Sequence, residues 1–396
     1  MKNRKIYFHI GFGKTGSSSL QSFLSYNPAL TFLDTQEKIL YCCFNNDGSI
    51  RSGSDLTKKA ANTPLNYVSS YPKIALIPSL SKTKDELEKI FSAGYIPFFS
   101  QEDWGRRSSE FKNANFFSEL GCSAHVIVYV RPQVEWFNSA WWQWFVWYKE
   151  FSTPDDVIGT WGYNFMLWAD QIAKWRNLPG VEIVNVRLHP QDIIEDFMSL
   201  LRLQKNPSIS YPERTNASLN PTLIKLLLRF PEIRGIHNAE VDIILSKLLK
   251  FDDKVSWVIE KELIGKIISA THDDNLKILS MLDEQSKKVM ENDPRWWNPD
   301  FYATRPLFTK ADFELDKQEL LAIVDQAIPA LIKLQLRGSD AKLDSQITRL
   351  NQALVERDAA LKQMLHSTSW RLTRPIRLLR HLVERLQHTI KPRSRS

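Results

Sequence analysis

Residues 5–21 read KIYFHIGFGKTGSSSLQ, and the fold is decided by how this stretch is read. Lys5–Ile10 is a short apolar run that stops at a turn holding Gly11, Gly13 and Gly16. Ser17–Tyr26 then reads as a helix. The order is strand, glycine-rich loop, helix. A helix N-terminus offers unpaired backbone N–H groups and the positive end of the helix dipole, so it attracts phosphate and sulfate groups. The glycines let the backbone come close to such a group. Lys14 can place an ammonium over the anion, and Ser17 and Ser18 add hydroxyl donors. The nucleotide-triphosphate version of this loop places Lys after the last glycine; here Lys14 precedes Gly16. On this motif alone an ordinary Gly/Ser-rich turn stays open.

Further along, residues 95–100 (YIPFFS) predict a second strand, with Pro97 counting against it. Residues 125–130 (HVIVYV) form a continuous β-branched apolar run, as a buried parallel strand does, and Val181–Leu188 follows a Pro-Gly turn in the same manner. Helical patterns lie between them, including residues 136–148 and 165–176. Strands alternating with helices predict an α/β domain with a mainly parallel sheet and helices on both faces, a three-layer αβα arrangement. The expected domain spans residues 1–336, with an α/β core to about 215 and a mostly helical part over about 216–336, interrupted by prolines near 296–306. Residues 337–340 (RGSD) read as a linker. Leu343, Ile347, Leu350, Leu354, Leu361 and Met364 fall on a heptad seam over 341–366, which makes self-association an expectation.

A second motif follows residues 125–130. It reads Arg131-Pro-Gln-Val-Glu135-Trp136-Phe-Asn-Ser139. An arginine leaving a strand end presents a two-pronged donor that suits one phosphate group, and a helical serine eight residues on can add a hydroxyl. A magnesium-dependent phosphotransferase places an acid in this region of the fold; an arginine there repels the cation. Alone, Arg131 as a surface cation and Ser139 as a helix-face filler remain equally open.

Together the two motifs, KTGSSS after the first strand and R-x₇-S after a central one, resemble the sulfotransferases that use 3′-phosphoadenosine 5′-phosphosulfate (PAPS), the bacterial type in particular. The resemblance covers roughly residues 5–308. It implies a P-loop-like αβα fold and a PAPS site in which Gly13, Lys14, Thr15, Gly16, Ser17 and Ser18 hold the 5′-phosphosulfate. Arg131 and Ser139 would then hold the 3′-phosphate, and the product would be adenosine 3′,5′-bisphosphate. Where animal relatives place an adenine-stacking Trp, this chain has Ser19. Phe99-Ser100-Gln101-Glu102 resembles the family's strand-end S-x-E, and Arg214-Thr-Asn216-Ala-Ser218-Leu219 resembles its R-x-N-x-S-L stretch.

Sulfuryl transfer needs a base for the accepting hydroxyl. Glu102 is the candidate, because it follows a strand that ends on the ligand-binding edge of the sheet; His9 and His125 are the alternatives. Lys14 is the candidate for stabilising the leaving group. No metal site is expected, since the histidines lack ligand spacing. The aromatic run Trp136, Phe137, Trp141, Trp142, Trp144, Phe145, Trp147 and Tyr148 is apolar on every face of a helix, so core packing and an acceptor cleft are both open.

Composition sets the remaining expectations. The chain has 396 residues, 43% hydrophobic and 24% charged, with three cysteines, two of them adjacent. These values fit a globular protein in a reducing compartment, without a disulfide framework. Net charge is +7, and residues 366–396 hold eight Lys/Arg against the single acid Glu384, which accounts for the whole excess. No nucleic-acid partner is therefore expected for the body. No run matches a signal peptide or a membrane span, so the expected location is the cytoplasm. Residues 367–377 (STSWRLTRPIR) resemble an element found near the C-termini of bacterial surface-polysaccharide enzymes. With the basic amphipathic pattern of 376–390, this points to a surface glycan acceptor and to docking on the inner membrane face or on an assembly complex. An ATP-dependent P-loop phosphotransferase and an inactive scaffold of the same fold are the rivals.

Overall fold

The structure, a computed structural model, describes residues 4–205, 209–211, 220–231, 233–234, 240–249, 256–308, 314–329 and 331–332. The R-x-N-x-S-L stretch, the linker, the heptad segment and the basic tail lie outside them. The chain divides into two compact units, Met1–Ile323 and Val324–Ser396; all that follows concerns the first.

Element order is β1 (Lys5–Ile10), α1 (Ser17–Tyr26), β2 (Ala29–Thr31), β3 (Lys38–Phe44), β4 (Ile50–Ser52), α2 (Ser54–Ala61), α3 (Leu80–Ser92) and β5 (Tyr95–Gln101). Next come α4 (Ser108–Asn113), α5 (Phe116–Leu120), β6 (Ser123–Val130), α6 (Gln133–Gln143), α7 (Pro154–Trp161), α8 (Trp168–Arg176), β7 (Val181–Leu188) and α9 (Ile193–Leu200). The helical part follows with α10 (Pro221–Arg229), α11 (Glu240–Leu249), α12 (Lys261–Leu279) and α13 (Glu284–Asn292).

Among the described residues the strands form one sheet in the order β2-β3-β5-β1-β6-β7, with β4 also paired to β3. β3, β5, β1, β6 and β7 are mutually parallel; β2 and β4 run antiparallel along β3. Side chains on a strand alternate between faces, and here both faces are apolar. Ile6, Phe8 and Ile10 of β1 point into one core with Phe99, Val126, Val128 and Val130; residues of α3 to α6, α8 and α12 cover it. Tyr7 joins Phe98, Ile127 and Tyr129 on the other face, under Leu20 and Phe23 of α1, Leu56 of α2 and Phe197 of α9. The result is the three-layer αβα fold with a mainly parallel sheet.

Pro97 does not exclude β5 from the sheet interior. The β1 ladder begins at Phe98, one residue later, so the missing N–H interrupts no rung on that side. Residues 136–148 are not one helix. α6 ends at Gln143, Trp144 leaves helical geometry at φ −124°, and a separate 3₁₀ turn covers Phe145–Trp147. Helix α8 begins at Trp168, three residues inside the expected range of 165–176, after a 3₁₀ turn over Asn164–Met166.

This topology fixes the place of the chemistry. After β1 the chain builds β5 on one side and β6 on the other, so β1 marks the switch point of the sheet. In open α/β sheets the crevice at the carboxyl ends of the strands beside that point binds ligands. The residues leaving β5, β1 and β6 there are Glu102, the 11–16 loop and Arg131.

Candidate active site

The loop from Gly11 to Gly16 is held from two sides. Gly11 and Gly13 donate backbone N–H groups to the carbonyls of Gln101 and Glu102, both at 3.1 Å, and the Gly11 carbonyl accepts from the Gly105 N–H at 2.9 Å. The Trp136 indole N–H holds the Gly13 carbonyl at 3.0 Å. Within this frame Gly13, Lys14 and Gly16 all have positive φ, at 67°, 51° and 86°. Such a conformation is uncommon for a lysine, and runs of left-handed residues turn backbone N–H groups toward one concave, anion-binding side. No partner is found among the described residues for the N–H groups of Lys14, Thr15, Gly16, Ser17 or Ser18, and Gly16 supplies no side-chain cap to α1. Gly13 also keeps the loop thin: a methyl group there would lie 2.5 Å from the Trp144 ring.

The hydroxyls are not equivalent. Ser18 is half-buried and lies near the Tyr67 hydroxyl. Ser17 and Thr15 are enclosed, and neither hydroxyl has a hydrogen-bond partner. Buried hydroxyls normally find a partner, so a loop with unpaired amides and unpaired hydroxyls has donors to offer an anion. Lys14 is half-buried; burial pulls its ammonium down to about 8, against the opposing pull of the Glu102 carboxylate. Asp242 of α11, itself bound to Arg234 at 2.7 Å, adds a negative charge near the same ammonium.

Arg131 reaches this loop. Its guanidinium donates to the Lys14 carbonyl at 3.3 Å and to the Ser139 hydroxyl at 3.3 Å, so the two motifs share one wall. Its far side faces Glu135 at 3.7 Å. That carboxylate also meets Arg295 at 3.5 Å and Arg305 at 3.4 Å. Asp293 pairs with Arg295, so three arginines stand against two carboxylates and a positive excess remains. Neither Arg295 nor Arg305 was among the expected site residues. Next to them His189 touches Gly16, and burial with the Arg131 charge pulls its imidazole down to about 4, leaving it neutral.

Glu102 sits on the other flank of the loop. Burial raises its carboxyl above the ordinary range, opposed by Lys14. No hydrogen bond to its carboxylate is found among the described residues. Tyr67, whose hydroxyl burial and Glu102 push up to about 12, lies close by. Glu102 and Gly13 line a cleft of about 770 Å³ whose walls are aromatic, with Trp136, Trp144, Tyr148, Trp161 and Phe165 among them. The aromatic run divides: Trp141, Trp142 and Phe137 are core, while Trp144, Phe145 and Tyr148 line the cleft. The alternative bases sit elsewhere. His9 is fully buried, bonded to Ser100 at 2.8 Å, and held neutral by burial, its imidazole down to about 3. His125 lies at the opposite end of the sheet beside Glu182.

No family model and no curated protein matches this chain. Among solved structures it is similar to a sulfotransferase from Alicyclobacillus acidocaldarius. The match covers 73% of this chain and 99% of that one, at 14% sequence identity and a TM-score of 0.35. At that distance nothing of the other protein's chemistry carries over to this chain. Among the described residues no helix is long and apolar enough to cross a membrane.

Proposed function

We propose that this protein is a sulfotransferase that moves a sulfuryl group from PAPS to a hydroxyl of a carbohydrate, in the synthesis of a bacterial surface polysaccharide or glycolipid. The observation that supports this reading is the Arg131 hydrogen bond to the Lys14 carbonyl, which brings the two candidate anion motifs side by side. A nucleotide with phosphates at both its 3′ and 5′ positions needs two anion seats. A nucleoside triphosphate, with its phosphates in one chain, needs one seat and a magnesium ion.

The residues fit the donor. Lys14, the free N–H groups of residues 14–18 and the hydroxyls of Ser17 and Ser18 take the 5′-phosphosulfate. Thr15 is packed beneath the same loop, its hydroxyl among the unpaired ones. Arg131 and Ser139 take the 3′-phosphate, with Arg295 and Arg305 behind them. When bound, PAPS supplies a sulfuryl group on a phosphate leaving group. Glu102 then accepts the proton of the attacking hydroxyl as its oxygen bonds to sulfur. The bridging S–O bond breaks and its electron pair goes to the phosphate oxygen, whose new charge Lys14 and the loop amides stabilise by fixed electrostatics. A carboxyl whose hold on a proton is strengthened by burial, beside a neighbouring ammonium, suits that task. The aromatic walls suit sugar C–H faces.

Calorimetry in the absence of magnesium tests the reading. Tight binding of adenosine 3′,5′-bisphosphate is the expected result. Binding of ATP only with magnesium, with none of the bisphosphate, would point to phosphoryl transfer instead.

A further inference from the structure

Arg131, Glu135 and Ser139 follow one another at steps of four, so the two residues of the second motif have an acid midway between them on the face they share. Only 12% of the Glu135 side chain is open to solvent. Three guanidinium groups from separate parts of the chain meet at its carboxylate. Arg131 comes from the end of β6 at 3.7 Å, Arg295 from a 3₁₀ turn over Pro294–Trp296 at 3.5 Å, and Arg305 from just beyond a second turn over Pro299–Tyr302 at 3.4 Å.

Other contacts fix where each arginine lies; Glu135 fixes where its remaining nitrogen points. Arg131 spends Nη1 on the Lys14 carbonyl and the Ser139 hydroxyl and turns Nη2 to Glu135. Arg295 gives Nε and Nη2 to Asp293, at 2.9 and 2.7 Å, and turns Nη1 to Glu135. Arg305 lies over the Trp257 ring, 5.0 Å from its centroid, and turns Nη2 to Glu135. Cations this close repel one another. Burial pulls the Arg131 guanidinium below its ordinary range, Glu135 pulls it back, and Arg295 presses it further down. One shared carboxylate is what lets the three stand together. The cluster also borders the first loop: Arg295 and His189 line a common cavity of about 570 Å³, and a methyl group on Gly16 would lie 3.2 Å from the His189 ring.

We propose that Glu135 is a positioning residue of the 3′-phosphate seat: its carboxylate holds Arg131, Arg295 and Arg305 together, so the seat is formed before the ligand arrives. This rests on the reading that a 3′-phosphate binds at Arg131. Two roles for the acid predict opposite signs. A mere negative charge beside the seat repels the phosphate, and Glu135→Gln would then bind it more tightly. A positioning acid gives the reverse, because without it the arginines spread apart, and long side chains that are ordered only on binding cost affinity.

The full chain and its Glu135→Gln variant, which keeps the size of the side chain, are titrated calorimetrically without magnesium. The ligands are adenosine 3′,5′-bisphosphate and adenosine 5′-monophosphate. The wild type is expected to prefer the bisphosphate, and the variant to lose about tenfold of that preference, the lower end of what outer partners of ligating side chains contribute at metal sites. Binding of the monophosphate should be the same in both, which also shows that the variant is folded. A preference that stays or grows in the variant, or a loss shared equally by both nucleotides, would overturn the role of Glu135 alone. A wild type without preference for the bisphosphate would overturn the seat itself, and this inference with it.

Discussion

Replacing Arg131 by alanine removes the second anion seat while sparing its surroundings. The side chain makes long contacts within the protein, 3.3 Å to the Lys14 carbonyl, 3.3 Å to Ser139 and 3.7 Å to Glu135. Glu135 keeps Arg295 and Arg305, and the Ser139 hydroxyl keeps its bond to the Glu135 carbonyl at 3.0 Å; the Lys14 carbonyl loses the one hydrogen bond found for it among the described residues. Folding stability should therefore fall by no more than about 1 kcal/mol, the worth of one ordinary hydrogen bond. The ligand loses more. A charge-assisted hydrogen bond contributes about 1.5–3 kcal/mol, so the dissociation constant for adenosine 3′,5′-bisphosphate should rise about 10- to 150-fold. Calorimetry without magnesium reads this directly, and adenosine 5′-monophosphate supplies the internal control. It lacks the 3′-phosphate, so wild type and Arg131→Ala should bind it alike. An unchanged constant for the bisphosphate, or an equal loss for both nucleotides, would refute the assignment of Arg131 to the 3′-phosphate.

Glu102→Gln keeps the shape of the cleft and removes the base. Turnover should drop by about 10²–10⁴, the usual contribution of general base catalysis, with nucleotide affinity nearly unchanged in the same preparation. Because the protonated Lys14 ammonium is the form that attracts the anion, and its value in the free protein is about 8, affinity for the bisphosphate should be flat below that pH and decline above it. Titrations between pH 7 and 9.5 should show this decline in wild type and not in Lys14→Met. Phe8, fully buried against Phe99, Trp104 and Phe117, should cost about 3–5 kcal/mol when cut to alanine, as large core truncations do, which denaturant unfolding measures.

The sequence was most legible where one short stretch carried its own boundaries. Lys5–Ile10 ends in glycines, Val181–Leu188 follows a Pro-Gly turn, and both strands run as expected. β3 meets the same test, since Ile39–Phe44 is a continuous apolar run, and is absent from the expected strands; β2 and β4, three residues each, are too short to show any periodicity. The end of α6 had no signal, because aromatics on every face give no stripe to break, and the helix stops where Trp144 turns to pack on Gly13. Site residues were legible when they lay beside a strand end in sequence, as Lys14, Glu102 and Arg131 do. Arg305 meets Glu135 across 170 positions, and Arg295 and Tyr67 likewise arrive by folding alone. Only the proline- and tryptophan-rich context of residues 294–306 marked that segment as unusual.

A crystal structure with adenosine 3′,5′-bisphosphate tests the shared wall most directly. The expected result is one nucleotide spanning both seats, its 5′-phosphate on the amides of residues 14–18 and Lys14, its 3′-phosphate on Arg131 and Ser139. A nucleotide bound elsewhere, or one whose 3′-phosphate faces away from Arg131, would contradict it.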